Sequence, residues 1–174
     1  MALVVLSYPD ISQEDFQWIQ SVRAKYDELR YRMVGPHFTI VFPVRGMGRE
    51  SFCQHVRQQV HDVSKVQFTL KCAVPVKDHF FELTHLFLVP DRGYSDIVEL
   101  HDKLYTGPLA PELRLDIPFI PHVSTASVVD PLRCKELADT INANGLSIDG
   151  VISKLDIAHL KNDRVVTLEQ IVLQ

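Results

Sequence analysis

The sequence predicts an α+β fold, and three observations predict it. Strand-like runs with period-two alternation interleave with stretches whose apolar residues recur at helical spacing. No low-complexity tract or flexible linker divides the chain. Each half contains a Pro-His strand followed by a helix and then two strands, which makes a loose repeat. At 174 residues the chain suits one domain, or two small lobes packed intimately together.

Taken in order, Ala2 to Leu6 reads as a buried strand. Ser12, with Asp15 three residues on, opens a helix through about Leu29, with Phe16, Ile19 and Tyr26 near one face. Gly35-Pro36 ends that pattern before "GPHFTIVFPV", residues 35–44. There Phe38, Ile40 and Phe42 alternate with His37, Thr39 and Val41 on the opposite face. A helix follows over roughly Arg49 to Val63. Val66 to Val74 alternates cleanly, so Cys72 reads as a core residue, and Phe80 to Val89 reads as the next strand.

The third helix, near Tyr94 to Tyr105, sets Ile97, Leu100 and Leu104 on one stripe. A Pro-containing loop leads into "FIPHVSTASVV". Asp130 then caps a helix with Pro131 in its first turn, and Asn144-Gly145 ends it. Two last strands, around Val151 to Leu160 and Arg164 to Leu173, join through an Asn162-Asp163 turn.

Composition narrows the function classes. Hydrophobic residues make up 46% and charged residues 23%, ordinary for a globular protein with a real core. A net charge of -4 argues against a general electrostatic grip on long nucleic acid, which needs a basic field. It leaves room for a small phosphate ligand held by local donors. The apolar start is too short for a signal peptide or a membrane span. Cys53, Cys72 and Cys134 are scattered and odd in number, which predicts reduced thiols and a cytoplasmic protein rather than a disulfide framework. A monomer fits the compact size.

The chemistry lies in a second copy of the first strand's polar face. Pro121-His122-Val123-Ser124 repeats Pro36-His37-Phe38-Thr39 in the other half of the chain. In each, His and hydroxyl are two apart on a strand, so they share a face with Cα atoms roughly 6.5 Å apart. If the two strands meet around a pseudo-twofold axis, two imidazoles and two hydroxyls converge. Attack at a phosphodiester needs a base for the nucleophile and an acid for the departing alkoxide. Imidazoles, with an unperturbed pKa of about 6.5, are suited to both roles. The hydroxyls are suited to the non-bridging phosphoryl oxygens. No metal or other cofactor is needed.

Two H-x-[ST] motifs half a chain apart, each on a Pro-His strand, resemble the signature of the two-histidine (2H) phosphoesterase superfamily. That group includes the LigT-like 2′-5′ RNA ligases and plant-type cyclic phosphodiesterases. The resemblance covers nearly the whole chain, through "VVLSYPD", "PHFTIVFP", "FFELTHLFL", "FIPHVSTA" and "LDIAHLKND". It implies one two-lobed domain over residues 1–174, a pseudo-twofold duplication in which two antiparallel sheets line a central cleft with helices on their outer faces. It implies metal-independent hydrolysis of 2′,3′-cyclic phosphates, on RNA ends or small cyclic nucleotides, to 2′-phosphomonoesters. By analogy His37 is the acid and His122 the base, with Thr39 and Ser124 as partners, although a symmetric site can exchange the two roles.

Many LigT-like members carry an Arg soon after the second hydroxyl. Here Thr125, Ala126 and Ser127 follow, and the next Arg is Arg133, which favours a small nucleotide or short oligonucleotide. Tyr8 and Phe81 are candidates to stack on a base, and Arg45 to reach phosphate. Their bland readings are core, cleft lining and solvated loop. His85 is a candidate to face the cavity, whereas His79, His101 and His159 read as surface or cleft-edge residues. Two other readings compete with hydrolysis. One is a nucleotide-binding regulatory module with little catalysis; the other is RNA 2′-5′ ligation, the same chemistry run backwards.

Overall fold

In the computed structural model, which describes residues 2–161 and 164–174, the strands form two antiparallel sheets with helices around them. The elements are β1 (Leu3–Ser7), β2 (Asp10–Ile11), α1 (Gln13–Tyr26), α2 (Glu28–Met33), β3 (Phe38–Val44), α3 (Arg49–Val60), β4 (Val66–Lys77) and β5 (Thr84–Arg92). They continue with α4 (Tyr94–Leu104), a 3-10 turn (Gly107–Glu112), β6 (Val123–Val128), α5 (Pro131–Ala143), β7 (Ile148–Ile152), β8 (Lys154–Lys161) and β9 (Arg164–Val172).

One sheet has the order β3-β1-β8-β9 and the other β2-β7-β4-β5-β6. The two Pro-His strands, β3 and β6, are therefore edges of different sheets and do not pair with each other. α1 packs on β6 and α5 on β4, β5 and β6, while α4 lies across β3, β4 and β5 with α3 beside it. The core joins the two sheets: Phe38 of β3 meets Phe68 of β4 edge to face, with centroids 5.0 Å apart.

Local chemistry explains where the elements start and stop. Ser12 Oγ accepts from Asp15 N at 3.0 Å, capping α1. The helix expected through Leu29 breaks instead at Asp27 (φ -146°, ψ 48°). Beyond the break, buried Arg23 donates through Nη2 to Arg30 O at 3.1 Å and Val34 O at 2.7 Å. This side chain satisfies the carbonyls at the end of α2 and turns that helix back against α1. β5 starts at Thr84 rather than Phe80, because Asp78 Oδ1 accepts from Phe80 N and Phe81 N and closes a turn. The long strand expected over 151–160 is two strands, β7 and β8, split at Ser153 and belonging to different sheets. The expected Asn162-Asp163 turn lies outside the described residues.

Bulges correct two readings of alternation. On β3 the register runs Leu6↔Thr39, Val5↔Val41 and Leu3↔Val44, so the strand gains residues against β1. Val41, expected on the polar face, is fully buried, and Phe42, expected in the core, lines the cleft. On β4 a bulge between Leu70 and Cys72 moves Cys72 to an exposed position, and Ala73 takes the core place.

Gly93 shows how tightly β4 meets the start of α4. Its φ is +79°, and an added Cβ would stand 2.3 Å from Gln67 O and 3.0 Å from Phe68 Cβ. Gly93→Ala combines left-handed strain with a backbone clash, so a loss of about 1–3 kcal/mol is expected. The midpoint of urea unfolding checks it; an unchanged midpoint refutes the packing described.

Candidate active site

Each histidine is set by the residues just before its strand. Gly35-Pro36 and Ile120-Pro121 turn the chain so that the ring meets the carbonyl two residues back. His37 Nδ1 is 2.8 Å from Gly35 O and His122 Nδ1 is 2.5 Å from Ile120 O. A carbonyl only accepts, so both rings carry their proton on Nδ1, and each Nε2 is left as a lone pair. Both half-buried rings line one cavity of about 280 Å³, together with Thr39 and Ser124. That volume is near the lower end for small-ligand sites, room for about one nucleotide unit.

Neighbouring rings hold the imidazoles in place. Phe87 of β5 stacks on His122 with centroids 3.5 Å apart, and His85 lies parallel to Phe87 at 6.0 Å. Tyr8, just past β1, stands edge-on to His37 at 6.1 Å. Burial lowers the His37 imidazole to about 4, with Arg23 and Arg30 adding repulsion against the helpful bond to Gly35 O. Burial also lowers His122 to about 4, and His37, His85 and Arg30 push the same way. In the free cleft at neutral pH both rings are therefore neutral bases.

The structure thus brings His37, Thr39, His122 and Ser124 to one cavity. It places Tyr8, Phe81 and Arg45 outside that lining. Tyr8 supports His37 from outside the cavity lining, and burial raises its phenol. Phe81 is 65% exposed on the 78–83 turn, and its neighbour Phe80 lines the cavity instead. Arg45 is exposed beyond β3 and outside the lining. His85 lines the cavity and is buried. His101, expected at the surface or the cleft edge, is a core residue: its Nδ1 is 2.8 Å from Ile40 O and its ring stacks on Phe119 at 3.6 Å.

Sequence reasoning missed Arg23, Asp27 and Arg30, which line the same cavity. A guanidinium reaches the cavity from α2 rather than from the strand after Ser124. Arg30 Nη1 donates to Ser127 Oγ. Buried Asp27, 3.6 Å from Arg30 Nη1, has its carboxyl pushed up by burial, with both arginines opposing. No motif marks these residues: Arg23 reaches across the break at Asp27, and that break carries Arg30 inward. Among the described residues no group of three or more His, Cys, Asp or Glu is placed to hold a metal ion, and no helix is long and apolar enough to cross a membrane.

Residues 9–164 match the model of the 2′-5′ RNA ligase superfamily. Among solved structures the chain is similar to Kluyveromyces marxianus Usb1, with 12% identity, 96% of this chain and 97% of that chain covered, and a TM-score of 0.59. It is similar to E. coli LigT in apo form, with 16% identity, coverage of 99% and 96%, and a TM-score of 0.53. LigT complexed with 3′-AMP matches at 16% identity, with coverage of 99% and 97% and a TM-score of 0.55. At such identities these likenesses speak for the fold. No curated protein sequence matches the chain.

Proposed function

The chain belongs to the 2′-5′ RNA ligase superfamily, and on that premise we propose that it is a metal-independent cyclic phosphodiesterase that opens 2′,3′-cyclic phosphates to 2′-phosphomonoesters. Membership supports an enzyme acting on phosphodiester bonds. The observation that carries the finer reading is the matched pair of imidazoles. Each has Nδ1 fixed on a backbone carbonyl, its hydroxyl partner two residues on, and both line one nucleotide-sized cavity. Binding alone does not call for two groups able to exchange protons. The complex of LigT with 3′-AMP is in keeping with a nucleotide ligand here.

In the proposed step His122 Nε2 takes a proton from water as the water oxygen attacks phosphorus. His37, protonated on Nε2, gives its proton to the O3′ that departs. One P–O bond forms and one breaks, and the product is a 2′-phosphomonoester with a free 3′-hydroxyl. The bond from His122 Nδ1–H to Ile120 O stabilises the imidazolium that forms. Thr39 and Ser124 donate to the non-bridging oxygens as charge accumulates. The reaction requires one proton on the pair, and the phosphodiester anion bound between the rings favours its uptake.

A panel of nucleoside 2′,3′-cyclic phosphates and cyclic-phosphate-ended RNA, with phosphorus NMR of the product, tests this reading. A 2′-phosphomonoester is expected, with turnover unchanged in excess EDTA. Tight nucleotide binding without turnover across the panel would favour the regulatory module. Loss of turnover on chelation, restored by a divalent ion, would overturn the metal-independent mechanism.

A further inference from the structure

Arg30 is held by one nitrogen alone. Its Nη1 donates to Ser127 Oγ and lies 3.4 Å from His85 Nδ1 and 3.6 Å from Asp27 Oδ1. Ser127 Oγ is 2.9 Å from His85 Nδ1, and His85 Nε2 is 2.7 Å from Asp78 Oδ2. The donors run in one direction: Arg30 N–H to Ser127, Ser127 O–H to His85 Nδ1, and His85 Nε2–H to the Asp78 carboxylate. Bonds from Phe80 N, His85 and Phe81 N hold that carboxyl below its ordinary value, although burial pushes it up. This network fixes the guanidinium while every polar side-chain contact described for Arg30 uses Nη1. The Nε/Nη2 edge, which grips oxyanions two bonds at a time, is left for a ligand.

The side chain lines the cavity and is 37% exposed. Behind it Arg23, 1% exposed and also lining the cavity, has an Nε with no partner among the described residues. Asp27 offsets one of the two guanidinium charges, so the local field stays cationic. Position supplies the remaining argument. Ser124 pairs with Phe87 and Ser127 with His85, two residues apart on β5. The Arg30 anchor is therefore roughly 6.6 Å along the strand from the level of the catalytic hydroxyl. One ribose with its flanking ester bonds bridges a span of that order.

We propose that the Nε/Nη2 edge of Arg30, backed by Arg23, is a second anion subsite that receives the phosphate on the 5′ side of the nucleoside whose cyclic phosphate is opened. The inference rests on the cyclic phosphodiesterase reading and narrows its substrate class. The preferred substrate is a 5′-phosphorylated nucleoside 2′,3′-cyclic phosphate, the terminal unit of a cleaved RNA, rather than the unphosphorylated nucleoside form.

The test compares adenosine 2′,3′-cyclic phosphate with its 5′-phosphorylated counterpart in wild type, Arg30→Gln and Arg30→Lys. Wild type is expected to prefer the 5′-phosphate by about tenfold or more in kcat/KM, the scale of one charge-assisted contact. Arg30→Gln is expected to bring the ratio close to one, chiefly through KM. Arg30→Lys, which keeps the charge but loses the fork, is expected to fall between. A wild-type ratio near one, or equal losses on both substrates in Arg30→Gln, would overturn the subsite. A calorimetric arm with 3′-AMP and adenosine 3′,5′-bisphosphate reads the subsite without chemistry. Tighter bisphosphate binding, lost in Arg30→Gln, supports it even if no cyclic phosphate is turned over; equal binding of the two ligands by wild type overturns it.

Discussion

His37→Asn and His122→Asn are each expected to lower kcat by about 10²- to 10⁴-fold while the fold and nucleotide binding persist. Asn is the informative replacement because its side-chain N–H can still donate to Gly35 O or Ile120 O, where Nδ1 now sits. What it removes is the Nε2 that exchanges the proton. The rings are half-buried on the wall of a cleft rather than sealed in the core, so the loss is one of chemistry more than packing. Because acid and base act in one step, the double variant is expected to be little worse than either single one. Phosphorus NMR turnover beside 3′-AMP calorimetry checks this. Full turnover by either single variant would remove that histidine from the proposed mechanism.

The two strands that position this pair were legible in the sequence because their code is local. A Pro-His step, a hydroxyl two residues on and an apolar alternation are short-range features, and Pro36 and Pro121 constrain the backbone next to them. The helices over 49–60, 94–104 and 131–143 were legible for a similar reason, since 3.6-residue periodicity, and for the last the Asp130 cap, are written within the segment. What escaped depended on tertiary pairing. A bulge is set by the partner strand, so the alternation of β3 misplaced Val41 and Phe42, and that of β4 misplaced Cys72. The break at Asp27 is secured by Arg23 bonding to carbonyls up to eleven residues ahead, and only that bend carries Arg30 to Ser127. Phe81 and Phe80 are equivalent in a sequence; the turn closed by Asp78 decides which ring faces the cavity.

The pH dependence of kcat/KM is expected to be acid-shifted, because it reports the free enzyme and both imidazoles there are lowered to about 4. The pair titrates as a coupled unit and must carry one proton to react. Above about pH 5 the singly protonated fraction falls roughly tenfold per unit, while the phosphodiester keeps its single charge, so kcat/KM should fall at that slope. In the bound complex the phosphate anion raises the imidazoles, and the alkaline limb of kcat should lie at higher pH. Stability opposes the low-pH side. Between about 6.5 and 4 the unfolded histidines bind protons that the folded ones do not, so stability drops as pH falls, by up to about 1.4 kcal/mol per unit for each ring. Activity at saturating substrate should consequently peak above the pKa of the free pair, and nucleotide binding near pH 6 should take up protons from buffer. Calorimetry in buffers of different ionisation heat measures that uptake. A kcat/KM that stays flat from pH 5 to 8, with no proton taken up on binding, would show that the reaction does not draw its acid from this pair.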